Sequence, residues 1–199
     1  AMFNVALLLR EGQHSDDDVL TLIRGAVTTL GGRTHTLPII AQWAKEQQAP
    51  EFLTAIGLAL ETYKAYPDAV VWYTNAAEAG QTAAMRNLAA LLDSEKLEKS
   101  DPIASLQWLE KASQAGDMTA RAGLGYRLLN GQRVTADVMR GSHLLKEAAD
   151  AGNVQGVYLL GRAYALGEGL PKQLEQARSL LTKAAAEGHE SATSLLKSL

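Results

Sequence analysis

The chain has 199 residues and no cysteine, and its 19 basic and 22 acidic residues give a formal net charge of −3. The absence of cysteine excludes a disulfide framework and a thiolate metal site. Because the net charge is slightly negative, the chain offers no broad positive field for a phosphate backbone, and nucleic acid is not the expected ligand. No stretch of the sequence approaches the roughly 20 apolar residues that a membrane-spanning helix needs.

The N-terminal part of the chain has helical patterns but no clear repeat. Three such patterns occur in the first 47 residues, at 1–12, 16–30 and 37–47. Acidic residues open the second pattern, as is favourable at a helix N-terminus. Gly31, Gly32 and Pro38 are expected to break the chain before the third. We therefore interpret residues 1–47 as a degenerate N-terminal helical repeat with an inserted helix.

The first two residues are either a cloning scar or the start of a helix inside a repeat, and the sequence leaves both open. Ala1 and Met2 precede a helical pattern that already begins at Phe3, and the segment lacks the basic region that opens a signal peptide. If Ala1 lies inside a repeat, we expect further repeats upstream of it.

A shortened hairpin pattern follows at 48–79. Ile56 and Gly57 lie in its first helix, and its second helix, which begins near residue 68, contains Trp72 and an alanine pair. Compared with the repeats that follow, this segment lacks four residues in the loop between its helices, where a change of length costs little.

Glycines recur at a fixed spacing over the rest of the chain. Each follows an alanine-rich segment, and they lie 36 residues apart, at Gly80, Gly116, Gly152 and Gly188. A fixed period of about 20 to 50 residues is typical of repeat proteins. This period divides the chain into three full repeats, 80–115, 116–151 and 152–187.

The repeats also agree in residue type at matching positions. Each contains a leucine followed by a small residue, at Leu88–Ala89, Leu124–Gly125 and Leu160–Gly161. A large apolar residue recurs near the end of each repeat, at Trp108, Leu144 and Leu180. The apolar spacing predicts two helices per repeat, joined by a glycine-containing loop. We expect the leucine and small residues to be buried where the helices approach closely, and the large residue to fill the space between hairpins.

The last residues, 188–199, are predicted to form a capping helix. Leu196 occupies the leucine position of the repeat, but Lys197 occupies the position of the small residue. Because lysine prevents close approach of another helix, this helix is expected to keep one face in water, as the end of a repeat array requires.

Two segments resemble the consensus of the Sel1-like repeat family, whose repeats are TPR-like. WYTNAAEAG at 72–80 is similar to the end of that repeat, and GQRVTADVMRG at 131–141 has its loop spacing, with Asp137 at the family's aspartate position. The resemblance covers residues 48–199. Phe52 and Glu95 depart from the consensus, where the family has alanine and a loop glycine.

The resemblance implies an all-α, right-handed superhelical solenoid of antiparallel helix hairpins. It also implies a bacterial, non-enzymatic adaptor or scaffold that binds another protein or peptide, in the context of envelope secretion, virulence or toxin immunity. The compartment and the oligomeric state stay open, although the family favours the periplasm or cell envelope over the cytoplasm. No cofactor is expected.

The first helices of successive repeats are expected to line a concave groove that binds the partner. Helical geometry places the positions two residues before and two after the buried leucine, and three residues further on, on this face. The predicted partner-binding residues are Thr54, Leu58, Glu61, Arg86, Asp93, Tyr126, Tyr158 and Arg162. Tyr126 and Arg162 are the strongest candidates, because tyrosine and arginine are enriched where interface energy concentrates.

An enzyme or metal site is not expected, because the titratable residues do not converge in sequence. His14, His35, His143 and His189 lie in different repeats without the spacing of a helical zinc site, and we interpret them as solvated surface residues. Two alternatives to protein binding remain. One is a pentatricopeptide-like RNA-binding array, which the net acidity disfavours. The other is a weak hydrolase, by resemblance to beta-lactam-binding family members, which look rich in cysteine.

Overall fold

The computed structural model describes residues 15–29 and 31–199, and within these ranges every regular element is helical. The helices are α1 Asp16–Val27, α2 Leu37–Glu46, α3 Glu51–Thr62, α4 Tyr66–Glu78, α5 Thr82–Leu92, α6 Pro102–Gln114, α7 Met118–Asn130, α8 Val138–Asp150, α9 Val154–Leu166, α10 Leu174–Ala186 and α11 Glu190–Ser198. A π-helical turn, Gly32–Thr36, precedes α2. The predicted all-α repeat fold is confirmed. The chain divides into two compact units, Ala1–Ser105 and Leu106–Leu199.

In the first unit, helices that follow one another in sequence pack against one another. Helices α3 and α4 form an antiparallel hairpin, α5 packs on α4 and touches α3, and both α1 and α2 pack on α3. A single hairpin cannot bury its apolar face, so each added helix covers the previous pair. The largest fully buried side chains of this unit are Ile23, Leu37, Ile40, Leu53, Ile56, Leu60, Tyr73, Leu88 and Leu91.

The second unit repeats the hairpin arrangement. Helices α7 and α8 form one hairpin and α9 and α10 the next, and α11 packs on α10. The first helices also touch each other, α7 with α9 and α9 with α11, so they form one layer of this unit. The core between the hairpins is built from residues of both, such as Tyr126, Leu129, Leu145 and Leu160.

The glycines with a 36-residue spacing end the second helix of each repeat in a left-handed conformation. Gly80, Gly116, Gly152 and Gly188 have φ angles of 89°, 92°, 76° and 83°. In each case the glycine N–H donates to the carbonyl three residues earlier, as Gly152 does to Ala149. The next N–H donates to the alanine one residue before that. The period therefore marks a helix end that requires glycine, because a side chain is strained at positive φ.

The leucine and small residue of each repeat are buried, as predicted. Leu88, Leu124 and Leu160 are at most 6% exposed, and Gly125 and Gly161 are buried as well. A Cβ atom on Gly125 would lie 2.9 Å from the carbonyl oxygen of Gly141, and one on Gly141 would lie 2.5 Å from the amide nitrogen of Leu129. Helices α7 and α8 therefore cross in direct backbone contact.

The large apolar residues near the end of each repeat are only partly buried, and one of them, Leu180, packs against both core clusters of the second unit. Trp72 and Trp108 are only half-buried, and the ammonium of Lys111 lies 4.0 Å from the centre of the Trp108 ring. The fully buried side chains are the next residues along each helix, such as Tyr73 and Leu181. The reason is the spacing of the apolar face: the residues four before and three after each of these buried side chains are small and buried, such as Ala69 and Ala76 around Tyr73.

The hairpin loops end and restart helices with the predicted residue types. Gly131 and Gly167 follow α7 and α9 in the left-handed conformation, with φ angles of 64° and 75°. Asp137, at the aspartate position of the resemblance, is the N-cap of α8, and its Oδ1 accepts the N–H of Arg140. The motif aspartate thus satisfies a backbone donor that the helix leaves unpaired.

The N-terminal prediction needs a correction at its glycines. Helix α1 begins with the predicted acidic turn, capped by Ser15. From Gly31 to the end of α2, however, the chain is continuously helical, and Gly32 lies inside the π-helical turn. A Cβ atom on Gly32 would lie 2.2 Å from the carbonyl oxygen of Ala26, so glycine serves close packing here. Pro38 is tolerated because it lies in the first turn of α2.

The predicted helix at 1–12 and the interpretation of Ala1 and Met2 lie outside the described residues. At the other end, α11 has the expected two faces. Ala192 is fully buried against the preceding hairpin, and Lys197 is exposed.

Candidate functional site

The predicted partner-binding residues lie on, or directly after, the first helices of the hairpins. Thr54, Leu58 and Glu61 are on α3, and Arg86 is on α5 with Asp93 just after it. Tyr126 is on α7, and Tyr158 and Arg162 are on α9. The five residues up to Asp93 belong to the first unit and the other three to the second.

In the first unit, the predicted residues differ widely in exposure. Leu58 is an exposed apolar side chain, at 56%, and lines an open cavity of about 350 Å³ between α1 and α3. Thr54 is half-buried, and its Oγ1 has no hydrogen-bond partner within the described part of the chain. Arg86 and Asp93 are half-buried.

Glu61 joins two side chains of the first unit. Its carboxylate accepts the Tyr73 hydroxyl at 3.0 Å and the Lys96 ammonium at 2.8 Å. Burial, followed by the Glu61 carboxylate, raises the pKa of Tyr73. The hydrogen bond from Lys96 to Glu61 raises the pKa of Lys96. The predicted residue Glu61 is therefore engaged within the fold, and it holds the loop after α5 against α3.

In the second unit, two predicted residues meet on a third that sequence reasoning missed. The Tyr126 hydroxyl donates to one Glu168 carboxylate oxygen at 2.7 Å, and the Arg162 guanidinium donates to the other at 2.9 Å. The guanidinium also lies 5.3 Å from the centre of the Tyr126 ring. We call Tyr126, Arg162 and Glu168 the carboxylate triad.

Within the triad, Tyr126 is buried and Arg162 is accessible to solvent. Tyr126 is 9% exposed, and burial, together with its hydrogen bond to Glu168, raises its pKa to about 12. Burial lowers the pKa of Arg162, but Tyr126 and Glu168 oppose this, and the net direction is upward. The Arg162 side chain is 35% exposed. Tyr126 and Glu168 therefore hold a charged, accessible guanidinium in place on α9.

Tyr158 contributes an aromatic ring one helical turn before Arg162. The ring stacks on His189 with 4.2 Å between centres. His189 Nδ1 accepts the N–H of Ala192 and caps α11, and Nε2 lies 3.0 Å from Gln155 Oε1. The interpretation of His189 as a solvated surface residue is therefore wrong, because it is a half-buried helix cap.

The remaining histidines do not form a site. His35 and His143 are exposed, and His14 lies outside the described residues. Across residues 15–29 and 31–199, no cluster of three histidine, cysteine, aspartate or glutamate side chains is placed to hold a metal ion. Over the same ranges, no helix is both long and apolar enough to span a membrane.

The side chains on this part of α9 can form polar and aromatic contacts. The guanidinium has donors beyond the one used by Glu168, and stacked aromatic rings offer rigid apolar area. Glu168 gave no sequence signal of its own, because it lies in a hairpin loop 42 residues after Tyr126. The family's aligned positions could have pointed to His189, since it directly follows the repeat glycine where Asp117 and Asn153 cap α7 and α9.

Comparison with known families decides the identity of the fold. The model of the Sel1 repeat matches residues 63–81, 82–117, 119–153 and 154–189, which is more than half of the chain. The chain belongs to the Sel1 repeat family. Sel1 repeats are generally protein-interaction modules, and the family is generally a non-enzymatic scaffold fold. No curated protein matches this chain at a significant level.

Two solved structures share the fold. A Sel1 repeat protein from Oxalobacter formigenes is 24% identical, with a TM-score of 0.65 over 79% of this chain and 67% of that protein. A protective antigen of uropathogenic Escherichia coli strains, which displays an SLR fold, is 25% identical, with a TM-score of 0.65 over 83% of this chain. This chain spans 35% of the length of the Escherichia coli protein.

Proposed function

We propose that the chain is a non-enzymatic adaptor that binds another protein or peptide along the first helices of its repeats. The family supports the class of function, since Sel1 repeats generally mediate protein interactions. In the second unit, the proposed surface comprises Tyr158 and Arg162 on α9, held by the carboxylate triad and by His189.

The observation that carries this proposal is the fixed, accessible guanidinium of Arg162. An arginine that is already ordered loses little side-chain entropy on binding, and ordered arginine and tyrosine residues dominate many interfaces. Glu168 accepts one hydrogen bond from Arg162 and leaves other donors for a partner carbonyl or carboxylate. Tyr126 acts behind this surface, as the buried support of Glu168.

The setting is proposed to be the bacterial envelope, in secretion, virulence or toxin immunity. The Escherichia coli protein that shares the fold is a protective antigen of uropathogenic strains. This description of a protein with the same fold supports a similar setting here. Within the first unit, we propose Leu58 and Arg86, on the first helices of that unit, as partner-binding residues.

The test is capture of binding proteins from a lysate of the source cell, with the wild-type chain beside a Tyr158→Ala/Arg162→Ala variant. Tyr126→Ala is a poor choice, because it would open a cavity in the core. Lys146→Ala is the matched control, because it removes an exposed cation from α8, a second helix. A protein retained by the wild type and the control but lost by the double variant supports the proposal. Equal retention by all three contradicts it.

A further inference from the structure

The second unit contains a pocket between the ends of two second helices, α8 and α10. It has a volume of about 480 Å³ and opens to solvent. Ala149 and Gly152 at the end of α8 form one wall, Lys183 and Glu187 at the end of α10 another, and Val157 on α9 forms the floor. The first-helix surface proposed above does not include these residues.

The preceding repeat has the same positions, but there an arginine occupies the space. Arg121 lies three residues before Leu124, as Val157 lies three residues before Leu160. Its guanidinium donates to the Ser113 carbonyl at 3.0 Å and lies 3.9 Å from the Glu147 carboxylate. Ser113 and Glu147 correspond to Ala149 and Lys183, 36 residues later.

The Ser113 carbonyl shows why this position accepts a cation. It already accepts the N–H of Gly116 at 3.1 Å, and the guanidinium uses its second lone pair. The Ala149 carbonyl likewise accepts the N–H of Gly152 at 3.0 Å. Both carbonyls lie at helix C-termini, where the backbone dipoles favour positive charge.

The pocket at 152–187 therefore has the backbone of the arginine site without the arginine. Val157 is shorter than Arg121 and leaves the space open. Two helix C-termini, those of α8 and α10, converge on it, and Glu187 places a carboxylate at its rim. Lys183 replaces Glu147 at the rim and opposes a bound cation, although it is exposed and can move into solvent.

We propose that this pocket binds the guanidinium of an arginine side chain presented by a partner protein, between the Ala149 carbonyl and the Glu187 carboxylate. The inference rests on the proposed function in one respect, which is that the arginine belongs to a protein partner. It adds a second contact surface to the proposed function and specifies that a guanidinium group binds there. Arg121 in the neighbouring repeat is the chain's own example of the bound state.

The pocket is tested with acetyl-arginine amide as the probe, followed by the NMR shifts of the Gly152, Val157 and Glu187 amides. We expect saturable shifts in the millimolar range, as is usual for a single side chain. Acetyl-citrulline amide, which has the same shape without the charge, should cause none. Absence of saturable shifts with the arginine probe, or equal shifts with both probes, overturns the proposal.

Two variants, Val157→Arg and Lys183→Glu, test the geometry in opposite directions, and Leu166→Arg is the control. Val157→Arg copies the preceding repeat and should abolish probe binding, because the pocket is then filled from within. Leu166→Arg adds an arginine at an exposed position outside the pocket, so probe binding should remain. Lys183→Glu copies Glu147 and should tighten binding about threefold to tenfold.

Either of two variant results contradicts the proposal. One is a folded Val157→Arg protein that binds the probe as the wild type does. The other is unchanged or weaker binding by Lys183→Glu, a surface substitution that does not depend on how Val157→Arg folds. The probe experiment needs no partner protein. If the probe does not bind, the proposal for the first-helix surface is unaffected. If the first-helix surface proves wrong, the result for the pocket still holds.

Discussion

Glu168 is the residue on which the proposed surface of the second unit depends. It reaches from the loop after α9 to Tyr126 on α7 and to Arg162 on α9 itself. A carboxylate that accepts from both a phenol and a guanidinium holds each of them more firmly than either could be held alone. The exposed arginine is therefore ordered before any partner arrives.

Replacing Tyr126 with phenylalanine tests the support within the triad. Tyr126→Phe keeps the buried ring and removes the hydroxyl, so we expect a loss of about 1 to 2 kcal/mol in the free energy of unfolding. Urea denaturation measures it. Tyr63→Phe is the control, because Tyr63 is 52% exposed and its change should be close to zero. Equal effects of the two substitutions would mean that the bond to Glu168 contributes nothing.

The same hydroxyl predicts a fall in stability at alkaline pH. The pKa of Tyr126 rises from 10.0 to about 12 in the folded chain, because burial and Glu168 both oppose ionisation. The unfolded chain therefore loses this proton first, and the stabilisation that is complete below pH 10 is lost as the pH rises toward 12. Denaturation over this range should show a shallower decline for Tyr126→Phe than for the wild type. Identical slopes would contradict the assignment.

At the scale of the helices, direct backbone contact at Gly125 and Gly141 fixes how α7 and α8 cross. A helix pair with a glycine on each side approaches more closely than side chains permit. The sequence predicted the buried small residue at position 125, because it recurs in every repeat. It did not predict Gly141, whose partner is known only once the crossing is known.

Two glycine substitutions separate close approach from helix propensity. Gly141→Ala places a Cβ atom 2.5 Å from the Leu129 nitrogen, so we expect a destabilisation of about 2 to 3 kcal/mol. Gly123→Ala on α7 meets only the Leu109 side chain, at 3.8 Å, and should gain up to about 1 kcal/mol. Thermal denaturation of both variants measures the difference. A neutral Gly141→Ala would show that the helices are free to separate.

The helices themselves were largely predictable, and their exact faces were not. Apolar spacing and the recurring glycines located the hairpins because both signals are local and occur several times. The fully buried residue of each second helix lies one position after the conspicuous Trp108 column, because buried small residues set the packing face, and the sequence pattern did not single it out. His189 was misread because a histidine cap is less common than the Asp117 and Asn153 caps of the other repeats.

At the scale of the whole molecule, repetition made the family recognisable, and its absence limited prediction elsewhere. The N-terminal region has no second copy to compare, so the helical run through Gly32 was mistaken for a break. The triad joins residues far apart in sequence, and only folding reveals it. The repeat also explains how one position can be an arginine site in one hairpin and an open pocket in the next.

The net charge of the molecule gives a prediction for the rival RNA-binding function. With a formal charge of −3, the chain should bind labelled single-stranded RNA weakly, with no salt-dependent affinity in a fluorescence anisotropy titration. A basic RNA-binding domain serves as the positive control. Tight binding that weakens steeply with salt would favour the pentatricopeptide-like alternative over protein binding.

The most direct test of the central claim is the affinity of the captured partner for the wild-type chain, Tyr158→Ala/Arg162→Ala and Lys146→Ala, measured by titration calorimetry. If the first helices form the binding surface, the double variant should bind at least about tenfold more weakly, as loss of interface hot spots implies, and Lys146→Ala should bind as the wild type does. Circular dichroism establishes that all three are folded. Equal affinity of the folded double variant and the wild type would contradict the proposed surface.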